Sequence, residues 1–234
     1  MARRLCDETD ARRLLNPGPV VIVTTAWHGM TNAAPMAWVT TLSMDPPRLG
    51  VVIHPQRHTA DMIRFSEEFA LNIPGPSLLK QTHFLASKPG LNENKIEEAG
   101  LEVFPAMRID APLIAGCLAW IECGLRDVLN VGDHNLFVGD VVRVQALDEA
   151  YAGRWLLKER LHSPLTFLGG NVYAVIGDPL EATYAVDEHG ALIVETPEER
   201  ERREEEEARE REIRAREGDE GLAALRGTAE GAGK

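Results

Sequence analysis

Arg57, His58 and Thr59 stand at the end of a β-branched run and just before Asp61, in the stretch PRLGVVIHPQRHTADMI (47–63). A threonine followed by an acid within one turn is a helix-start pattern, because the hydroxyl oxygen can accept one of the orphan amide protons there. Thr59 is the expected N-cap. Arg57 and His58 then lie just outside the helix, whose positive end mildly repels a cation, so an anion is expected between them. Amides, a hydroxyl, a guanidinium and an imidazole converging on one point can hold a phosphate without a glycine-rich loop.

Other chemistries lack their residues. Neither G-x-G-x-x-G nor G-x-x-x-x-G-K-[ST] occurs, and Gly169-Gly170 is a poor substitute, so a Rossmann dinucleotide site is not expected. There is no G-x-S-x-G elbow and no H-E-x-x-H pair. The seven histidines are scattered without helical metal spacing. Cys117 and Cys123 fall six apart in one expected strand, about 20 Å from each other at ~3.3 Å per residue, and cannot pair. That leaves Cys6, in an N-terminal segment expected to be loosely held, and no cysteine-based metal site.

The elements that must position the anion site are mostly strands. PVVIVTTAW (19–27) runs to a His28-Gly29 turn, with TNAAPMAWVTTLS as its hairpin partner. PRLGVVIHP follows as a third strand after a Pro-Pro turn, then the helix from Thr59, then EFALNIP as a fourth strand. PSLLKQTHFLAS (76–87) has helical spacing, and NENKIEEAGL is a short capped helix ending at Gly100. Both read as surface covers. APLIAGCLAWIECGLRDVLN and HNLFVGDVVRVQALD form a long hairpin across the turn at VGD. A helix is expected around EAYAGRWLLKERL, and PLTFLGGNVYAVIG supplies one more strand or a pair. Six or seven antiparallel strands of this spacing point to a small closed barrel, since closure removes exposed edges.

The chain has 234 residues and a formal net charge of −12, which argues against general nucleic-acid binding because counterion release needs a positive surface. No segment approaches the ~20 apolar residues of a membrane span, and MARRLCDETDARRLL lacks a signal-peptide apolar core, so a cytoplasmic location is expected. From Glu195 to Lys234 there are 14 acids and 9 bases with almost no large apolar residues. The run EERERREEEEAREREIRARE (198–217) reads as a solvated helix or a disordered tail, with Glu and Arg three and four apart, and GDEGLAALRGTAEGAGK after it should fray.

Six stretches in order resemble the flavin reductase-like FMN-binding split-barrel family, which includes flavoredoxins and the reductase partners of two-component monooxygenases. They are TNAAPMAWVTTLSMDPPRLGVVI, RHTADMI, FALNI, the lysine of NKIEEAGL, VGDHNLFVGDVV and PLTFLGGNVYAV, together covering roughly residues 15–180. The resemblance implies a mainly β fold with peripheral helices and a Greek-key split β-barrel, taken over 1–186; the charged helical or disordered tail over 187–234 lies outside it. The same resemblance implies a homodimer with FMN near the interface. The strand with Asn32, Ala34, Pro35, Met36, Ala37, Trp38 and Thr40 would lie along the isoalloxazine ring, and Arg57, His58, Thr59 and Lys95 would hold the phosphate. His134 and Phe167 match flavin-facing positions, with His134 given the catalytic part of placing a nicotinamide.

The activity so implied is an NAD(P)H-dependent flavin reductase, with NAD(P)H as a transient co-substrate, hydride passing to flavin N5, and a monooxygenase or an electron donor as redox partner. A flavoredoxin-type carrier is the alternative. A pyridoxamine-phosphate-oxidase-like FMN oxidase is the third, and would need a second cationic phosphate cluster that the chain does not display. Taken singly the residues have plainer readings: Arg57 and Lys95 as solvent-exposed cations, Trp38 as core, Asn32 as a turn cap, His134 as an exposed turn residue.

Overall fold

The computed structural model describes residues 7, 11–15, 18–87, 94–186, 191–210 and 212. It divides into two compact units between Gly177 and Asp178. The first is built on a seven-stranded antiparallel sheet in the order β3-β2-β6-β9-β10-β5-β4. Its strands are β2 (Val21–Trp27), β3 (Met30–Met36), β4 (Val39–Met44), β5 (Pro47–Ile53), β6 (Glu68–Pro74), β9 (Cys117–Val131) and β10 (His134–Ala146), while the short β7 (Val103–Phe104) and β8 (Leu113–Ile114) pair with each other. The expected hairpins are present. His28 and Gly29 take positive φ values of 50° and 79°, the geometry a two-residue hairpin loop needs, and join β2 to β3. Gly132 and Asp133 join the two long strands β9 and β10.

The expected partner of β2 is divided. Ala37 and Trp38 lie outside regular pairing, so TNAAPMAWVTTLS becomes β3 and β4, which stand at the two edges of the sheet. The sheet is therefore not a closed barrel, as simple strand counting suggested, but a split one. Pro35, with no N–H to give, sits on the edge strand β3, the position a sheet tolerates.

Two apolar clusters stabilise the unit. One joins Val23, Val51, Phe69 and Phe137 with Ala60 and Ile63 of α2 (His58–Ser66). Each of the fully buried Phe69 and Phe137 contributes about 1.5–3 kcal/mol of burial. Gly139 is required beside them, since a Cβ there would stand 2.6 Å from Phe69 Cζ. The other cluster joins Ile22, Ala33 and Trp120 with Leu85 of α3 (Leu79–Ser87) and Ile96 of α4 (Lys95–Glu98). Asn94 caps α4, accepting from the Glu97 amide at 3.4 Å, and Gly100 has φ 64°. Both features match the sequence reading.

Two buried polar side chains of the sheet use their bonding capacity to hold loops in place. Asn72 donates to Ile22 O at 2.9 Å and to Thr24 Oγ1 at 3.0 Å, and accepts from the Ile114 amide at 2.7 Å. Glu122 accepts from the Met107 and Arg108 amides, the latter at 2.7 Å. Such groups hold loops to the sheet, each net bond contributing about 1 kcal/mol. Cys117 and Cys123 are buried, unpaired thiols of β9, and burial pushes the Cys123 thiol up to about 12. Cys6 is outside the described residues.

The helix expected around EAYAGRWLLKERL does not form. Ala150, Tyr151 and Leu156 are held by turns, Tyr151 bridges Trp155, and only a 3-10 turn, Arg160–His162, follows. Gly153 at φ 73° interrupts the apolar spacing that suggested a helix. The chain then makes a pair of strands, β11 (Leu165–Gly169) and β12 (Val172–Val175), which with β1 (Gly18–Pro19) form a small sheet in the order β1-β11-β12.

The second unit holds a hairpin of β13 (Thr183–Val186) and β14 (Leu192–Glu195) and a helix over 197–210. The expected Glu/Arg ladder is there, in Arg200–Glu204 at 2.9 Å and Arg203–Glu207 at 2.8 Å. Arg203 also reaches back to Glu195 with two bonds of 2.9 and 3.0 Å, which holds that carboxyl below its usual range. The hairpin was not anticipated, and the stretch expected to fray, 218–234, is outside the described residues. Among the described residues no helix is long and apolar enough to cross a membrane.

Candidate functional site

The start of α2 differs from the expected cap. Arg57, with ψ 132°, is the extended residue before the helix and therefore the N-cap, and its side chain makes no capping bond. His58 is the first helical residue and Thr59 the second, too far along to cap. Thr59 instead turns inward, where its Oγ1 accepts from Asn32 Nδ2 at 2.9 Å. This leaves the Thr59 O–H free to donate. Asp61 lies in the first turn as expected.

Asn32 differs from Asn72 in one respect. Its Oδ1 is buried and has no hydrogen-bond partner, a condition that costs about 1–3 kcal/mol unless something meets it. Lys95 of α4 is brought to the same place. It is 4% exposed, and burial, with the charge of Arg57 added, lowers its pKa. The plain reading of Lys95 as a solvent-exposed cation is thus overturned. Two cations within electrostatic reach of each other, a free hydroxyl donor and an open acceptor make one end of the site.

The other end lies on the sheet face turned away from the Phe69–Phe137 cluster. Register does the placing: Ile53 faces Asn135 across β5 and β10, so the next pair outward is His54 and His134. Trp38 follows from the bond of the Val52 amide to Trp38 O at 2.9 Å. The His134 ring is 4.9 Å from Trp38 and 5.2 Å from His54, the latter edge-on at 89°. Its Nδ1 is 2.8 Å from Asp133 Oδ1, and this contact keeps the Asp133 carboxyl below its usual value. The turn from His54 to Arg57, closed by the Arg57 amide on His54 O at 3.0 Å, connects the two ends.

Ala34, Pro35, Met36 and Ala37 are half-buried along the edge strand and the break after it, and Thr40 is exposed on β4. The outer edge of β3, unpaired with any strand, offers backbone donors and acceptors between the two ends. His58 is half-buried. Phe167 is on the small sheet, where its ring meets Tyr173 at 5.3 Å. Tyr173 in turn meets His83 Nδ1 at 3.2 Å, on a groove of about 650 Å³ between α3 and the β11–β12 turn. Sequence reasoning missed His54 and Asp133. The only signal for His54 was its place one residue past a strand whose register was not yet known.

The model of the flavin reductase like domain matches residues 12–175. A protein of Aeropyrum pernix is 36% identical over 173 residues, 71% of this chain and 65% of that relative's length. The reductase component of a 4-nitrophenol 4-monooxygenase/4-nitrocatechol 2-monooxygenase from Rhodococcus opacus is 32% identical over 127 residues, 54% of this chain and 65% of the relative. Among solved structures, the FMN-binding domain of a flavin reductases-like enzyme from Shewanella baltica superposes with a TM-score of 0.64 at 28% identity, covering 75% of this chain and 95% of that one.

The residues present fit FMN. A phosphate between Arg57 and Lys95 would offset their mutual repulsion, and the free Thr59 O–H can donate to it. The Asn32 Oδ1 lone pairs would repel phosphate oxygens, but they suit a hydroxyl, and FMN carries a polyhydroxyl chain between phosphate and ring.

Proposed function

Because the chain belongs to the flavin reductase like domain family, we propose that it binds FMN and works as an NAD(P)H-dependent flavin reductase. The observation that carries the reading is the buried, unpartnered Asn32 Oδ1 beside the Thr59 hydroxyl, with Arg57 and the buried Lys95 at the same end. Such a combination matches a ligand that is an anion at one end and a polyol next to it.

Bound FMN supplies an N5 that accepts hydride. Arg57 and Lys95 hold the phosphate, each charge-assisted bond contributing roughly 1.5–3 kcal/mol. Thr59 donates to the same group, and its bond from Asn32 orients the hydroxyl for it. Trp38, 38% exposed, offers an aromatic face at the open end, where a nicotinamide docks and leaves. His134 places that nicotinamide through the ring nitrogen that Asp133 does not use. Transient docking of this kind needs no dinucleotide fingerprint. The similarity to a monooxygenase reductase component supports a monooxygenase as the consumer of reduced flavin. A homodimer in the cytoplasm is part of the same proposal.

The test is an absorbance spectrum of the purified protein, followed anaerobically by NADH and then NADPH. Bands near ~450 nm that bleach within seconds are expected. Bands that persist until a chemical reductant is added would replace the reductase by an electron carrier, and a protein that neither contains nor takes up FMN would overturn the reading altogether.

A further inference from the structure

His54 has no assigned part, yet it is held with unusual care for a residue at a strand end. Its Nδ1 accepts the backbone amide of Gln56 at 3.2 Å, so that nitrogen carries a lone pair and the neutral ring bears its proton on Nε2. The ring then stands edge-on to His134 at 5.2 Å. On its other neighbour His134 has the Trp38 ring at 4.9 Å, and its Nδ1 faces the Asp133 carboxylate at 2.8 Å. A carboxylate can only accept, so His134 Nδ1 must donate, and the neutral ring leaves its Nε2 as an acceptor.

We propose that His54 is a positioning residue that clamps the His134 imidazole against Trp38, so that Nε2 is preset as a hydrogen-bond acceptor before any ligand arrives. Asp133 sets which nitrogen holds the proton, and His54 sets where the other nitrogen points. The Gln56 amide keeps His54 itself from turning. An acceptor at this place recognises a ligand N–H, and the carboxamide NH2 of a nicotinamide provides one whereas a carboxylate in its position does not. The inference rests on the reading of His134 as the group that meets the nicotinamide, but the preset ring is a property of the free protein.

The experiment separates the two. Imidazole ¹⁵N correlation spectra are recorded on the full chain without nucleotide, for the parent, His54→Ala and His54→Phe, with His134 assigned by its own substitution. The parent should show His134 protonated on Nδ1 and His54 on Nε2. In His54→Ala the His134 proton should stay on Nδ1, where Asp133 holds it, while the ring's carbon-bound proton shifts, which sense the Trp38 face, should move toward averaged values, and the KM for NADH should rise about two- to tenfold, the size of one aromatic contact, with kcat nearly constant. His54→Phe keeps an edge against His134 and should restore most of both. Reduced nicotinic acid adenine dinucleotide, with a carboxylate in place of the amide, should be a poorer substrate than NADH for the parent and lose less in His54→Ala. A parent His54 protonated on Nδ1, or a His134 spectrum unchanged in His54→Ala, overturns the clamp. If the parent oxidises no NADH, the reductase reading fails while the spectra still decide the clamp.

Discussion

The two ends of the site are built in opposite ways. At the anion end Asn32, Thr59 and Lys95 are 2%, 3% and 4% exposed, on three different elements. At the aromatic end Trp38 is 38% exposed and the His54, His134 and Trp38 rings lie on the outer face of the sheet. Burial strengthens charge–charge attraction and slows exchange, while an open aromatic face permits rapid docking. Under the proposed function the contrast becomes a division of work: one end would retain the cofactor, and the other would admit and release a co-substrate.

The largest expected effect is at the anion end. Lys95→Ala should weaken FMN about tenfold to hundredfold, Arg57→Ala somewhat less because that side chain is exposed, while riboflavin, which lacks the phosphate, should be nearly unaffected by either. Titrating the quenching of flavin fluorescence checks this, and equal losses for both flavins would erase the distinction between the ends. Trp38→Ala should do the converse, weakening FMN and riboflavin alike, by about two- to tenfold.

Alkaline pH provides a third comparison. The Lys95 pKa in the free protein lies below its ordinary value of 10.5, because burial and Arg57 disfavour the charged form. Between that lowered value and 10.5 the unfolded chain binds more protons than the fold, so stability of the free protein rises with pH in this window. A bound phosphate favours the charged lysine, so FMN affinity should instead fall as pH climbs through the lowered value. Lys95→Gln should remove this dependence, as isothermal titration across pH can show. The smallest effect is expected from Asn32→Ala, which loses the Thr59 bond but also relieves an unmet acceptor. Thermal stability should change by about 1 kcal/mol or less, while FMN weakens severalfold. A large stability loss with unchanged FMN would make Asn32 a structural residue like Asn72.

How much of this was legible follows the same division. Strands β2, β5, β6, β9 and β10 were readable from β-branched runs bounded by turn residues, and His28-Gly29 announced its hairpin. Arg57 and Thr59 could be read as parts of an expected anion site because only His58 separates them in the chain. The Thr59 cap was misread because the helix start depends on the extended backbone of Arg57, an angle that residue types do not specify. Apolar spacing in EAYAGRWLLKERL was helical in pattern only, and the turns that replace it answer to Gly153 and to packing. A strand count cannot tell a closed sheet from an open one, since closure depends on whether β3 and β4, neighbours in the chain, meet through their backbones.

By itself the sequence determined what is local or compositional: a mainly β chain, its hairpins, a charged C-terminal stretch that forms i,i+4 pairs, and a cluster of anion-binding residue types around position 57. Only the tertiary structure decided which of these come together. Lys95 acquires its lowered pKa from burial beside Arg57, 38 positions earlier in the chain, and Asn32 its unmet acceptor from packing against α2. His54 meets His134 through the register of two strands far apart in sequence. Burial and register are properties of the assembled sheet, and no window along the chain contains them.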